Sequence, residues 1–361
     1  MTTVKPSSEG STRRLVQLCA GYFFFYVITG IFVKYFQGKR EFGFPGMNDF
    51  EYLAYSTLGA NATCAAVVLA KRWFHIRSED FFTLFGKSYP REYLYIIPSG
   101  VCTAVVIPAT TLMYSLPISV MVAMVIMRGS VIVISRLVDA IQIRQGILTK
   151  KVYREENIAV VFALCAVGVH LLWDTGQDGS GFLSSPMAII ILVSYVVAYS
   201  IRIYIMNYYK NTRSLGAPSQ NEMFFGVEQI AASATMISAV VLLVGAPKWF
   251  GWSAPQLLKF QAAVFHPHPS WWVAASSGIS FGIVAFFSVF IFMFRGRTAT
   301  FAGLVNRLTS LVAGTMATVL FFLLFGGKLP SAADWGSLGF ILVAVFFLTM
   351  AERRHAAELA H

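Results

Sequence analysis

Arg128 and Arg307 are placed where arginine is costly. Each lies about 10 residues inside a long apolar run, which at 1.5 Å per helical residue puts it roughly 15 Å deep, near the middle of a hydrocarbon layer about 30 Å thick. Insertion there costs at least about 2.5–3.5 kcal/mol per arginine unless the guanidinium meets a wet cavity or a partner. Its planar fork of donors matches phosphate and carboxylate, so the chemistry these two residues suggest is capture of an anion. Sliding the chain by 179 residues aligns Ser119 with Thr298, Arg128 with Arg307 and Ser130 with Thr309.

Glu228, about two turns into another run, is the acid expected at comparable depth, and one carboxylate cannot balance two guanidinium groups. Asn306 beside Arg307, together with Asn61 and Tyr22 in other runs, would supply hydrogen bonds to a ligand. The expected binding set is therefore Arg128, Arg307, Asn306, Glu228, Asn61 and Tyr22. Arg136, Arg202 and Lys34 fall within about two turns of a span end and are expected to snorkel. Asp139 follows Arg136 by three residues and is expected to pair with it, and Glu155-Glu156 reads as a helix-start feature.

Metal and catalytic constellations are not legible. Cys19, Cys64, Cys102 and Cys165 are scattered through apolar runs without paired spacing. His266-Pro267-His268-Pro269 has no third ligand nearby and reads as a solvated turn. No acid-rich cluster exists to hold a metal for chemistry on a phosphorylated lipid, so no enzyme activity, cofactor or metal is expected.

The elements that must position these residues follow from composition. Of 361 residues 57% are hydrophobic and 12% charged, against roughly 25% charged in a soluble domain. Windows of about 19 residues place ten spans, near 15–37, 50–70, 93–115, 117–138, 157–174, 186–208, 222–245, 271–294, 298–325 and 332–350. Spans three and four are divided at Pro117, because one uninterrupted helix there would be more than twice a bilayer thick. The first run reads as a span and not as a cleaved leader. A connection over 246–270, with Trp249, Trp252 and Leu257-Leu258, reads as an interfacial amphipathic segment.

Charge supports this count. Alternate connections carry 18 Lys and Arg on one side and six on the other, which places both termini in the cytosol and explains the net charge of +11 without nucleic acid. Five spans are odd, so a second set of five enters the membrane inverted. The expected fold is an all-α membrane protein of ten transmembrane helices in two inverted five-helix repeats, 15–174 and 186–350, with cytosolic tails at 1–14 and 351–361. Gly278 and Gly282, four apart, would let helices pack closely.

Two stretches carry a family resemblance. Met127-Arg128-Gly129-Ser130-Val131-Ile132 resembles the Arg-Gly-Ser stretch of chloroquine-resistance-transporter-like proteins. Gly303-Leu304-Val305-Asn306-Arg307 is similar to the Gly-Ala-Leu-Asn-Lys motif of GDP-mannose transporters. With the ten-span layout, these identify the chain as resembling the drug/metabolite transporter superfamily, in its nucleotide-sugar and chloroquine-resistance-transporter-like branch. The resemblance implies nucleotide recognition by Asn306 and Arg307. The companion Phe-Tyr-Asn-Asn motif has no counterpart in Phe224-Phe225-Gly226-Val227, so GDP-mannose itself is not implied. The expected function is a carrier or exchanger of a small organic anion such as a nucleotide sugar. The alternative is a proton-coupled exporter with Glu228 titrating. The partners are an anionic small molecule and the bilayer, either of a bacterial inner membrane or of the Golgi or endoplasmic reticulum, and a homodimer is compatible with this reading.

Overall fold

Within an apolar run the backbone must satisfy its own hydrogen bonds, and a helix does so within one segment. The computed structural model describes residues 12–76, 78, 80–114, 120–148, 152–173, 186–213, 221–326 and 329–360. The chain forms α1 (Thr12–Gln37), α2 (Asp49–Ala70), β1 (Phe81–Leu84), β2 (Lys87–Pro90), α3 (Tyr93–Tyr114), α4 (Val120–Arg144), α5 (Arg154–Trp173), α6 (Pro186–Thr212), α7 (Asn221–Phe250), α8 (Pro255–Phe265), α9 (Trp271–Phe292), α10 (Ala299–Phe325) and α11 (Ala332–Ala360). Eight of these, α1, α2, α3, α6, α7, α9, α10 and α11, are long and apolar enough to cross a membrane. Helices α4 and α5 add 25 and 20 residues. Pro117 and Ser119 fall outside the described residues.

The long helices run between two faces. One carries both described ends of the chain: Thr12 at the start of α1 donates to Glu352 near the end of α11 at 2.8 Å. We call it the terminal face and the other the far face. Helix α2 packs along α9, α3 along α6 and α7, α1 along α9 and α10, α4 along α6 and α10, and α5 along α11. Small residues set the closest approach. A Cβ on Gly278 would lie 2.2 Å from the Ser56 carbonyl oxygen, and one on Gly59 would lie 1.8 Å from that of Ala275, so α2 and α9 touch backbone to backbone as Gly278 and Gly282 suggested.

Four segments differ from the sequence expectation. The connection after α2 folds into an antiparallel hairpin, β1 with β2, turning at Phe85-Gly86 with φ of 50° and 75°. Helix α7 continues through Pro247 to Phe250 instead of stopping near 245, with the carbonyl of Val244 accepting 2.7 Å from Gln261 of α8. Of the connection expected over 246–270 to be one interfacial segment, Trp249 belongs to α7 and only Pro255–Phe265 forms a separate helix, α8, 11 residues long, with Leu258, Val264 and Phe265 exposed. The expected tail from 351 is the last part of α11, whose Ala- and Glu-rich sequence favours helix.

That extension ties the terminal face together. Arg297 pairs with Glu352, Arg354 with Glu155 at 2.6 Å, and Tyr153 donates to Glu358 at 2.5 Å. Lys210 of α6 donates to the carbonyls of Phe292 and Arg297 at 3.0 and 2.9 Å. The spacing predicts that Asp139 pairs with Arg136, but its carboxylate is engaged elsewhere. Buried to 1% exposure on α4, it accepts from the backbone N–H groups of Ala299 and Thr300 at 2.7 and 2.6 Å, capping α10 from another helix. Thr298, the N-cap of α10, accepts from Phe301 and donates to Glu156 at 2.8 Å.

Candidate functional site: an arginine pair inside the bundle

Helices α4 and α10 bring Arg128 and Arg307 inside the bundle. Arg128 is buried, its Nη2 shut off from solvent and without a hydrogen-bond partner. It lies over Gly314 of α10, where a Cβ would sit 3.9 Å from that nitrogen. Arg307 is half-buried and donates through Nη2 to the hydroxyl of Tyr199 on α6 at 2.6 Å, its guanidinium 5.2 Å from that ring. Its Nε is likewise buried without a partner. Among the described residues no carboxylate lies within ion-pair distance of either guanidinium.

Tyrosines surround the pair. Tyr22 and Tyr26 stand one turn apart on α1 with ring centroids 5.5 Å apart, and Tyr195 and Tyr199 do the same on α6 at 5.1 Å. Tyr22 is within electrostatic reach of both Arg128 and Arg307. Its hydroxyl donates to Asn306 Oδ1 over 3.5 Å, a long bond, while Asn306 Nδ2 donates to Ser288 of α9 at 2.9 Å. Five helices, α1, α4, α6, α9 and α10, thus contribute to one polar centre.

Of the six residues expected in the site, Arg128, Arg307, Asn306 and Tyr22 converge. Glu228 and Asn61 are engaged elsewhere. Glu228 of α7 does not balance the arginines: it accepts from Arg202 Nε and Nη2 at 2.8 and 3.1 Å, from Ser99 at 2.7 Å and from Thr103 at 3.2 Å. Arg202 therefore does not snorkel. Helix α6 runs on to Thr212, which leaves Arg202 about 15 Å from that end, too deep for its side chain to reach water. Asn61 accepts from Gln229 at 2.8 Å and from Ser233 at 3.3 Å, and joins α2 to α7.

Sequence reasoning missed Tyr26, Tyr195, Tyr199 and Ser288. A signal was available for three of them: Tyr22 and Tyr26 repeat the four-residue spacing of Tyr195 and Tyr199 in the first and sixth spans. An apolar cavity of about 230 Å³ lies between α1, α2, α7 and α9, lined by Phe25, Cys64, Phe225, Gly282, Phe286 and Phe287 among others. Neither arginine lines it.

The fold defines a multi-pass α-helical membrane protein, and its bundle holds two arginines without a carboxylate partner among the described residues. No protein-family model and no curated protein matches the sequence. A solved structure described as "Crystal structure of protein" aligns over 95% of this chain and 99% of its own, with a TM-score of 0.58 and 14% identity. At that identity the similarity is one of fold alone.

Proposed function

We propose that the protein is a secondary carrier or exchanger of a small organic anion, with nucleotide sugars the first class to test. The observation that carries this reading is that Arg128 and Arg307 each keep a buried partnerless nitrogen and, among the described residues, have no carboxylate within ion-pair distance. A structural arginine at this depth would be expected to have a carboxylate partner, as Arg202 has in Glu228 and as Arg297 has in Glu352 although its Nε is also unpartnered. Arg128 and Arg307 would hold the charged group, Tyr199 would orient Arg307, and Asn306 and Tyr22 would bond to the rest of the ligand. The buried nitrogens require helices to part before a ligand arrives, as alternating access demands.

The packing supports ten spans in two inverted repeats. With the short α8 set aside, the sets are α1 to α5 and then α6, α7, α9, α10 and α11. Exchanging each helix for its counterpart turns α2–α9 into α7–α3, α1–α9 into α6–α3 and α1–α10 into α6–α4, and returns α4–α10 and α5–α11 to themselves. All of these are pairs in the bundle. Helices α1 and α6 begin at opposite faces, as inversion requires, and chain ends on one face agree with an even number of crossings. The terminal face, with its excess of Lys and Arg, would then be cytosolic.

The test is thermal unfolding of the purified protein with a panel of nucleotide sugars, nucleotides and sugar phosphates. A ligand at 100 times its Kd should stabilise the fold by about 2.7 kcal/mol. Arg307→Ala should erase the shift while leaving the protein folded. A panel that produces no shift in the wild type, or a variant that retains it, would remove the reading.

A further inference from the structure

Lys34 reads in the sequence as a snorkelling residue near the end of a span, and in the structure it points elsewhere. Its ammonium donates to Thr318 Oγ1 of α10 at 2.8 Å and lies 6.0 Å from the Phe321 ring centroid. Thr318 belongs to a stripe on α10. Arg307, Gly314, Thr318 and Phe321 are spaced by seven, four and three residues, which keeps them within about 60° of one another around the helix. Arg128 lies against Gly314, so three cations border one line: Arg307 itself, Arg128 about 10 Å further along the axis, and Lys34 about 6 Å beyond that. The run ends at the far face, where Tyr35 of α1 meets Phe325 of α10.

None of the three is neutralised by a carboxylate within ion-pair distance among the described residues. Asp334 acts on Lys34 at longer range, and its Oδ2 is held by the backbone N–H and hydroxyl of Ser331. The repeat relation sharpens the contrast. Sliding by 179 residues pairs Thr318 with Asp139, so the position that carries the α10-capping carboxylate near the terminal face carries a hydroxyl near the far face. A carboxylate at Thr318 would repel an anion and neutralise Lys34. The hydroxyl orients the ammonium and leaves its charge.

From this we infer that Lys34, Arg128 and Arg307 form a cationic track along α10 by which an anion enters from the far face, with Lys34 as the capture residue. The inference rests on the anion-carrier reading and adds its route and a new residue. Charge opposite to that of an incoming ligand along its path raises the local ligand concentration and on-rate, an effect that is read as a rate ratio.

Gly314→Cys gives a reporter between the two outer cations, and its Cβ makes an ordinary contact with Arg128. In the full chain with Cys19, Cys64, Cys102 and Cys165 replaced by Ala, its reaction rate is measured with an anionic sulfonatoethyl methanethiosulfonate and with the cationic trimethylammonium analogue. The anionic reagent should be favoured. Lys34→Gln should lower the anion-to-cation rate ratio by at least about fivefold, and Lys34→Arg should preserve it. A ratio unmoved by Lys34→Gln, or a cysteine inert to both reagents, would overturn the track. Failure of the carrier reading is separable: in that case the ratio would still respond to Lys34 while no anion in the panel stabilised the protein.

Discussion

Two arginine sites, both deep in the bundle, differ in what meets their charge. Arg202 meets Glu228 through two hydrogen bonds, and Ser99 and Thr103 occupy further positions on the same carboxylate. Arg307 donates to the hydroxyl of Tyr199, and Arg128 and Arg307 each keep a partnerless buried nitrogen. The first arrangement is what burial of a charge requires. The second leaves charge without compensation, as a binding site for a mobile anion would. Composition and depth alone do not separate these sites, because both are arginines in apolar helices. A carboxylate partner among the described residues does: Arg202 has one, and Arg128 and Arg307 do not.

Mutation can break that comparison. The largest effect should come from Glu228→Ala, which strands Arg202 and should cost about 3–5 kcal/mol in denaturant unfolding in detergent. The double variant Arg202→Met with Glu228→Leu should recover most of that loss. Next, Asp139→Ala should cost about 1–3 kcal/mol, because two backbone donors at the start of α10 lose a charged acceptor. Arg307→Met should behave in the opposite way, changing stability by less than about 1 kcal/mol or raising it, since it removes an unbalanced buried charge. Its effect should fall on ligand affinity, with at least a tenfold loss, about 1.4 kcal/mol, in a binding titration. Smallest should be Tyr199→Phe, which removes one acceptor from Arg307 and should shift affinity by about 1 kcal/mol or less without unfolding the protein. If Arg307→Met proved as destabilising as Glu228→Ala, both sites would be structural.

The sequence made the helices legible because hydropathy sums over some 20 residues, and an error in one residue hardly moves the total. It made Arg128 and Arg307 legible because depth can be counted along a helix. Partners were harder. Glu228 could be placed at the right depth, but which of three arginines it faced depended on the rotation of α6 and α7, and a side-chain direction turns by about 100° for each residue of error. Arg202 was misjudged because α6 extends to Thr212, four residues past the expected end near 208. Asp139 was misassigned to a neighbour on its own helix because the start of α10, 160 residues later, was not visible as its partner. The hairpin of β1 and β2 was missed because four-residue strands in a charged connection give little periodic signal.

The central claim is that the unbalanced charge at Arg128 and Arg307 receives an anionic passenger. Exchange in proteoliposomes tests it most directly, with vesicles loaded with an unlabelled anion that stabilises the protein and uptake of the labelled anion followed outside. The account predicts uptake accelerated by internal anion and insensitive to an imposed proton gradient, abolished by Arg128→Met with Arg307→Met and retained by the Arg202→Met, Glu228→Leu pair. Uptake that persists in the arginine double variant, or that follows the proton gradient and disappears with Glu228, would contradict it.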